Sequence, residues 1–310
     1  MRILVTGVAG DIGYGIGRIL KASGIAEYIV GCDVHNEHPG ALVFDSCEVI
    51  ERADSGQYIN SLMEAAKRHC IDLIIPTSEP ELRFLLREKL LDNVEGISLL
   101  MANEKALTVG FDKLGTARFL ESAGLLYPWT KFVSEGPPDR MPCIIKSRVG
   151  AGGKDVALVQ KELVELYSRT RPADIWQEYL HPDDQEFTCG VYRSSGWEIR
   201  TIIFRRKLNA GITVYGEVVE NVDIEELLAA VAEKLNLIGS INIQLRMTER
   251  GPIIFEINPR FSSTVVFRHM IGFEDLIWSI NDKVGQSVSN YIRPKVGKKF
   301  YRGTNEIIFD

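Results

Sequence analysis

The chain has 310 residues, 45% of them hydrophobic and 25% charged, with a formal net charge of −6. That length allows two domains with their own cores, and the balance is that of a globular chain. The acidic surplus argues against a nucleic-acid surface, while a few local lysines and helix N-termini could still hold a small polyanion. No apolar run approaches the roughly 20 residues of a membrane helix, and "MRILVTG" offers no leader-like stretch. The five cysteines show no CxxC spacing, so reduced thiols and a cytoplasmic location are expected. His35 and His38 lack a third ligand and read as surface residues.

In chain order, Ile3–Thr6 reads as a strand running through "GVAGDIGYGIG" into a helix over 12–22 (Ile12, Ile16, Ile19, Leu20). "YIVGCD" is a second strand ending at Asp33. A helix near 56–69 leads to the buried strand "IDLIIP", "EPELRFLLREKLL" is another helix, and a short strand follows at 97–100. Alternating strands and helices imply a parallel, doubly wound sheet over the first hundred residues. After a helix at 112–123 the chain turns strand-rich: "PCIIKSRVGAGG", "DIWQEYL", "QEFTCGVYR" and "EIRTIIFRRKL" precede a helix at 223–235. The hairpin "SINIQLRMTERGPIIFEINPR" comes next. The fold class expected is therefore α/β followed by α+β.

Gly7, Gly10 and Gly13, with Asp33 closing the second strand, have the spacing of a dinucleotide-binding turn. This keeps an NAD(P)-dependent oxidoreductase or epimerase in view. Such enzymes need a helical Tyr-x-x-x-Lys pair, and both spacing matches, Tyr127…Lys131 and Tyr291…Lys295, are interrupted by proline (Pro128, Pro294). The glycines equally suit a tight strand-to-helix turn with close packing.

The second half carries more chemistry. Glu256, Asn258 and Arg260 alternate along "FEINPR", and Pro259 keeps Asn258 extended, so the three share a face. A hairpin centred on Arg250 sets Gln244 opposite Glu256. Gln244, Glu256 and Asn258 form an oxygen-donor set suited to Mg²⁺, and Arg260 can offset developing phosphoryl charge. Lys146 ends a strand before "GAGGK", a loop able to lay N–H groups over phosphates or simply to turn a hairpin. Lys113 begins a helix. Gln177, Glu178, Tyr179 and Leu180 form a strand exit whose backbone could read an adenine edge, and Glu186 could accept ribose hydroxyls.

Taken in order, the opening turn, "LIIPTSEPEL", "DKLGTARFLESAGLLYP", "IIKSRVGAGGKDV", "QEYL…EF", "INIQ" and "FEINPRFSST" resemble the ATP-grasp superfamily over nearly the whole chain. By its motifs the chain looks like a single-module protein similar to one half of the carbamoyl-phosphate synthetase large subunit. The resemblance implies a Rossmann-like pre-ATP-grasp domain at 1–105 and an ATP-grasp domain at 106–310. The latter would divide into a lid-bearing part at 106–179 and a metal- and substrate-bearing part at 180–310, clamping ATP between them. It also implies that Lys113 and Lys146 meet ATP phosphates under a lid of Gly150, Gly152 and Gly153. Gln177, Glu178, Tyr179 and Leu180 would hold adenine, and Glu186 the ribose. Gln244, Glu256 and Asn258 would hold one or two Mg²⁺ ions, for which Mn²⁺ can substitute. Arg260 and, from the basic run Arg205-Arg206-Lys207, Arg205 would act on the phosphoryl group, although an edge strand guarded by charge explains that run equally.

The implied activity is ADP-forming carboxylate–amine ligation through an acylphosphate, with small carboxylate and amine substrates and a homodimer as a compatible state. A non-catalytic ATP-binding subunit of a larger synthetase is the other alternative. The segment 261–264 with Arg268 is read either as an acceptor-carboxylate site or as helix packing. Glu79 and Glu81 are read as amine ligands or, in preference, as partners of a helix N-terminus.

Overall fold

The computed structural model describes residues 1–150, 155–209 and 211–303. A first sheet is built from β1 (Arg2–Thr6), β2 (Tyr28–Asp33), β3 (Ser46–Val49), β4 (Leu73–Ile75), β5 (Asn93–Val94) and β6 (Ile97–Leu99), in the order β3-β2-β1-β4-β6-β5. All its neighbours pair in parallel except β5 with β6. Helices α1 (Asp11–Ser23), α2 (Tyr58–Arg68) and α3 (Glu79–Arg87) interleave with these strands. Side chains of β1 alternate between two cores, as a strand's pleat requires. Ile3 and Val5 join Ile16, Ile19 and Leu20 of α1, whereas Leu4 joins Tyr58, Leu62 and Met63 of α2.

Two helices, α4 (Glu104–Gly110) and α5 (Lys113–Ser122), lead to a second sheet of β7 (Thr130–Phe132), β8 (Cys143–Lys146), β9 (Ala157–Val159) and β10 (Ile175–Glu178). Its order is β7-β10-β8-β9, all antiparallel, with α6 (Val164–Thr170) before β10. The third sheet contains β11 (Glu186–Arg193), β12 (Ile199–Asn209), β13 (Ile212–Val218), β14 (Gly239–Thr248), β15 (Gly251–Asn258) and β16 (Lys299–Tyr301), ordered β15-β14-β11-β12-β13-β16. Helix α7 (Val222–Lys234) covers one face through Ile224, Leu228 and Val231. The other face is divided. Tyr192, Ile202, Phe204 and Phe300 lie under α8 (Val265–Ile271) and α9 (Asp275–Lys283), with Phe273 and Trp278. The remainder of that face stays open and polar.

The opening glycines are explained by packing. A Cβ on Gly13 would sit 2.4 Å from the Gly7 carbonyl oxygen, and one on Gly15 would sit 2.7 Å from Val266 Cγ2. Helix α1 thus presses on both its own turn and α8. The core beneath it includes Phe261, Val265, Leu276 and Ile280, so the first sheet and the α8–α9 layer share one apolar interior.

The β14–β15 hairpin is not centred on Arg250. Thr248 pairs with Gly251, and the register shifts between Gln244 and Leu245, leaving Phe255 as a bulged residue. Gln244 therefore faces Glu256 as expected, but through the bulge rather than through the turn.

Candidate active site

Between the second and third sheets lies a cleft of about 720 Å³. Lys113, Lys146, Gly150, Gln177, Glu178, Tyr179, Leu180, Glu186, Gln244, Glu256, Asn258 and Arg260 all line it. Gly152 and Gly153 lie outside the described residues.

The cross-strand register explains what the floor presents. Glu186 on β11 lies beside Arg246, Thr188 beside Gln244 and Gly190 beside Asn242, while Gln244 and Asn242 face Glu256 and Asn258 on β15. Side chains of paired residues share a face, so these groups form one polar field. Glu186 is bound at both oxygens. Oε1 accepts from Arg206 Nη2 at 2.7 Å and Oε2 from Arg246 Nη2 at 2.6 Å. Arg246 also donates to the Leu180 carbonyl at 2.7 Å, tying the floor to the β10 exit.

Arg205 is a correction. It pairs across the sheet with Phe187, which pairs with Leu245, so it belongs to the opposite face. Its side chain is half-exposed and bonded to Glu217 at 3.0 Å. The cleft takes Arg206, whose Nη2 also donates to Gln244 Oε1 at 2.7 Å.

Two lysines stand over this floor. Lys146 ends β8, is buried, and donates to the Phe255 carbonyl at 3.3 Å. Burial lowers its pKa to about 8, with Glu256 pulling it back up and Lys113 pushing it further down. Lys113 opens α5 behind Asp112, whose carboxylate caps Leu114 N–H and holds Arg148. Its ammonium donates to the Gly150 carbonyl at 2.5 Å and lies 3.9 Å from Glu256. Burial lowers the pKa of Arg260, while Glu79, Glu256 and Asp11 act in the opposite sense.

Glu256 and Asn258 make no side-chain hydrogen bond among the described residues, so both present free oxygens to the cleft. Those two suit a hard divalent cation. Gln244 fits less directly, because its oxygen already accepts from a guanidinium. Among the described residues no cluster of three or more His, Cys, Asp or Glu suits a metal, as expected of a donor set built mainly from amides.

At the other end, Gln177 Nε2 donates to Thr130 Oγ1 at 3.0 Å, and Glu178 holds Arg250 at 2.7 Å while accepting from Trp129 N–H at 3.3 Å. The Glu178 N–H also donates to the Trp129 carbonyl at 2.9 Å, while the N–H groups of Tyr179 and Leu180 make no hydrogen bond among the described residues and are the exit's free backbone donors. Tyr179 donates to Asp183 at 2.6 Å.

Of the remaining candidates, Arg268 is fully buried and bonded to Asp275 at 2.8 Å, so it is an interior residue rather than an open anion site. Glu81 is the N3 residue of a capping box with Ser78 and is buried; it accepts from Thr6 Oγ1 at 2.8 Å and Tyr58 at 3.0 Å. Burial raises its pKa. Glu79 pairs with Arg83 at 2.6 Å and accepts from Gly150 N–H at 3.2 Å. Asp33, the residue a nicotinamide ribose would need, accepts from Ala9 and Val34 N–H, both at 2.8 Å.

Sequence reasoning missed Arg206, Arg246, Asn242 and Thr188. Asn242 and Arg246 stand two residues either side of Gln244, so strand periodicity already placed them on its face. No such signal distinguished Arg206 from Arg205.

Residues 171–300 match the family model described as "ATP-grasp in the biosynthetic pathway with Ter operon". That segment holds the β10 exit, the polar floor and the β14–β15 hairpin. The fold of nearly the whole chain is shared with solved enzymes at low identity. N5-carboxyaminoimidazole synthetase from Staphylococcus aureus complexed with ADP superimposes with a TM-score of 0.73 at 17% identity, covering 94% of this chain and 79% of that one. Campylobacter jejuni biotin carboxylase, in a complex with β-γ-ATP, gives 0.72 at 14%, covering 96% and 74%. The biotin carboxylase domain dimer of Hydrogenobacter thermophilus 2-oxoglutarate carboxylase, with MgADP, ADP and bicarbonate, gives 0.73 at 15%, covering 96% and 73%. No curated protein matches by sequence. Over residues 171–300 the likeness to the ATP-grasp superfamily read from the sequence motifs is borne out by the family match.

Proposed function

We propose that the protein is an ATP- and Mg²⁺-dependent, ADP-forming ligase that phosphorylates a small carboxylate and passes the acylphosphate to an amine. The observation that carries this reading is one cleft with a backbone-presenting strand exit at one end and two lysines, an arginine and free oxygen donors at the other. Solved neighbours described with ADP, with β-γ-ATP, and with MgADP and bicarbonate support it.

In this reading the backbone from Gln177 to Leu180 takes the adenine edge and Glu186, braced by Arg206 and Arg246, takes the ribose. Lys113 leaves the Gly150 carbonyl and Lys146 leaves the Phe255 carbonyl to meet phosphates. The glycine loop, including Gly150, Gly152 and Gly153, closes over them. Glu256 and Asn258 would hold the magnesium, joined by Gln244 once Arg206 turns to a phosphate. When bound, the metal supplies charge neutralisation on the phosphate oxygens. Arg260 faces the phosphoryl group in flight. A carboxylate nucleophile arrives deprotonated, so no general base is required. Closure excludes water that would hydrolyse the acylphosphate. The parts implied are a Rossmann-like domain at 1–105 and a grasp domain at 106–310.

The test is a thermal-shift titration with ATP·Mg²⁺ and, separately, with NAD(P)H. At 100 times the dissociation constant, ligand should add about 2.7 kcal/mol. Stabilisation by ATP·Mg²⁺ alone, followed by ADP release when carboxylates and amines are supplied, supports the ligase. Stabilisation by the nicotinamide alone refutes it.

A further inference from the structure

Asn242 has no place in the machinery above, yet three hydrogen bonds hold its side chain. It is 1% exposed, lines the cleft, and stands directly opposite Asn258. Its Oδ1 accepts from Thr188 Oγ1 at 3.1 Å, Ser262 Oγ at 3.0 Å and Arg268 Nη1 at 3.2 Å. Hydroxyls can donate or accept, but a guanidinium only donates, so the arginine fixes which end of the amide is oxygen.

Arg268 cannot turn away. It is 0% exposed, its Nε and Nη2 hold Asp275 at 3.3 and 2.8 Å, and its Nη1 also reaches Ser262 and Thr264. Asp275 accepts in addition from Ser240 at 2.5 Å. Gly190 leaves the room this requires, since a Cβ there would lie 2.7 Å from Arg268 Cδ.

With the oxygen turned inward, Asn242 Nδ2 meets no acceptor among the described residues. Nor is it one of the sealed, partnerless atoms, which among the described residues are Trp129 Nε1, Arg193 Nε, Arg246 Nε and His269 Nδ1. Among the described residues it is therefore an unused donor at the cleft, polarised by the guanidinium that binds its oxygen. Its position is informative. Arg246 binds the carbonyl of Leu180 at the adenine end, Gln244 follows, and Asn242 comes last along β14. At about 3.4 Å per residue, Asn242 lies about 14 Å along β14 from Arg246, at the end of the floor away from Leu180.

We propose that Asn242 binds an oxyanion at this far end, donating from Nδ2 to an oxygen where the γ-phosphoryl group meets the incoming carboxylate. Arg268 and Asp275 are positioning residues that hold the amide in that sense. The inference rests on the ATP reading of the cleft.

The experiment uses the full chain, with ADP·Mg²⁺ titrated first and beryllium fluoride, a phosphoryl mimic, added to the ADP complex. In Asn242→Asp the oxygen toward Arg268 is kept and the cleft-facing donor becomes a negative acceptor. The variant should melt no lower than the parent and bind ADP·Mg²⁺ within twofold. Its affinity for beryllium fluoride should fall at least tenfold. Unchanged mimic affinity overturns the proposal, as does an equal loss of ADP, which would mark Asn242 as a strand-packing residue only. Failure of the parent to bind ADP·Mg²⁺ overturns the nucleotide reading itself, and this inference with it. For the positioning pair, the double variant Arg268→Met, Asp275→Leu leaves no unpaired buried charge. It should fold, keep ADP·Mg²⁺, and lose several-fold in mimic affinity because the amide is free to turn. Arg268→Lys, which keeps the charge on a single donor, should lose in the same direction. Parent-like affinity in either variant overturns the positioning role.

Discussion

Replacing Lys146 by methionine should stabilise the ligand-free protein while removing nucleotide binding. The ammonium is buried, and burial lowers its pKa from 10.5 to about 8. A shift of that size corresponds to about 3 kcal/mol at 1.36 kcal/mol per unit. The sign follows from proton counting. Between pH 8 and 10.5 the unfolded chain holds this proton and the folded chain does not, so wild-type stability rises with pH through that window. Below pH 8 both states are protonated and the full penalty is present; above 10.5 it is gone. Urea unfolding of Lys146→Met should therefore show a gain approaching 3 kcal/mol at pH 7 that shrinks toward zero near pH 10.5. ATP·Mg²⁺ should raise the melting temperature of the parent and not of the variant. Binding to the parent near pH 8.5 should take up a proton, read by calorimetry in buffers of different ionisation enthalpy. A variant no more stable than the parent at pH 7, or a gain independent of pH, would refute the reasoning.

Four further outcomes are expected. Arg206→Ala should weaken ATP·Mg²⁺ binding by tenfold or more, since charged hydrogen bonds contribute about 1.5–3 kcal/mol, whereas Arg205→Ala should stay within twofold; equal effects in a titration would show that the assignment of faces is wrong. Glu256→Gln should keep the fold by circular dichroism and lose Mg²⁺-dependent ADP formation, and undiminished ATP cleavage would sink the metal assignment. Chelation of divalent ions in the parent should abolish the same turnover without unfolding it. Gly15→Val should cost about 1–3 kcal/mol by overpacking against Val266, measured in urea, and a neutral result would mean that α1 and α8 do not touch as described.

The parallel sheet was legible because β1 and β4 are short, continuous apolar runs with a parity that feeds two cores. The hairpin floor was legible for the same reason, since period two puts Gln244, Glu256 and Asn258 together. Its register was less so. The turn sets one register and the bulge at Phe255, inside β15, shifts it by one residue, so that Gln244 meets Glu256 at the site. Arg205 was misjudged because its face depends on which residue of β12 meets Glu186 on β11, a long-range pairing that neither strand encodes alone. Helices α4 and α6 span only seven residues each and lack a sustained apolar period, so they escaped notice. Arg268 was left open between an acceptor-carboxylate site and helix packing because sequence gives charge but not depth; its burial against Asp275 favours packing.

The contact between Gly15 and Val266 joins residues 251 positions apart in the chain, and it leaves no space for independent drift. In descendants of this sequence a larger residue at 15 can persist only beside a smaller one at 266. Gly15, which stands just outside the Gly7–Gly10–Gly13 spacing that mimics a cofactor fingerprint, would then vary in step with α8 rather than with any ligand. Sequence variation at these two positions, correlated across otherwise divergent chains, would record the weld between the two halves of the molecule.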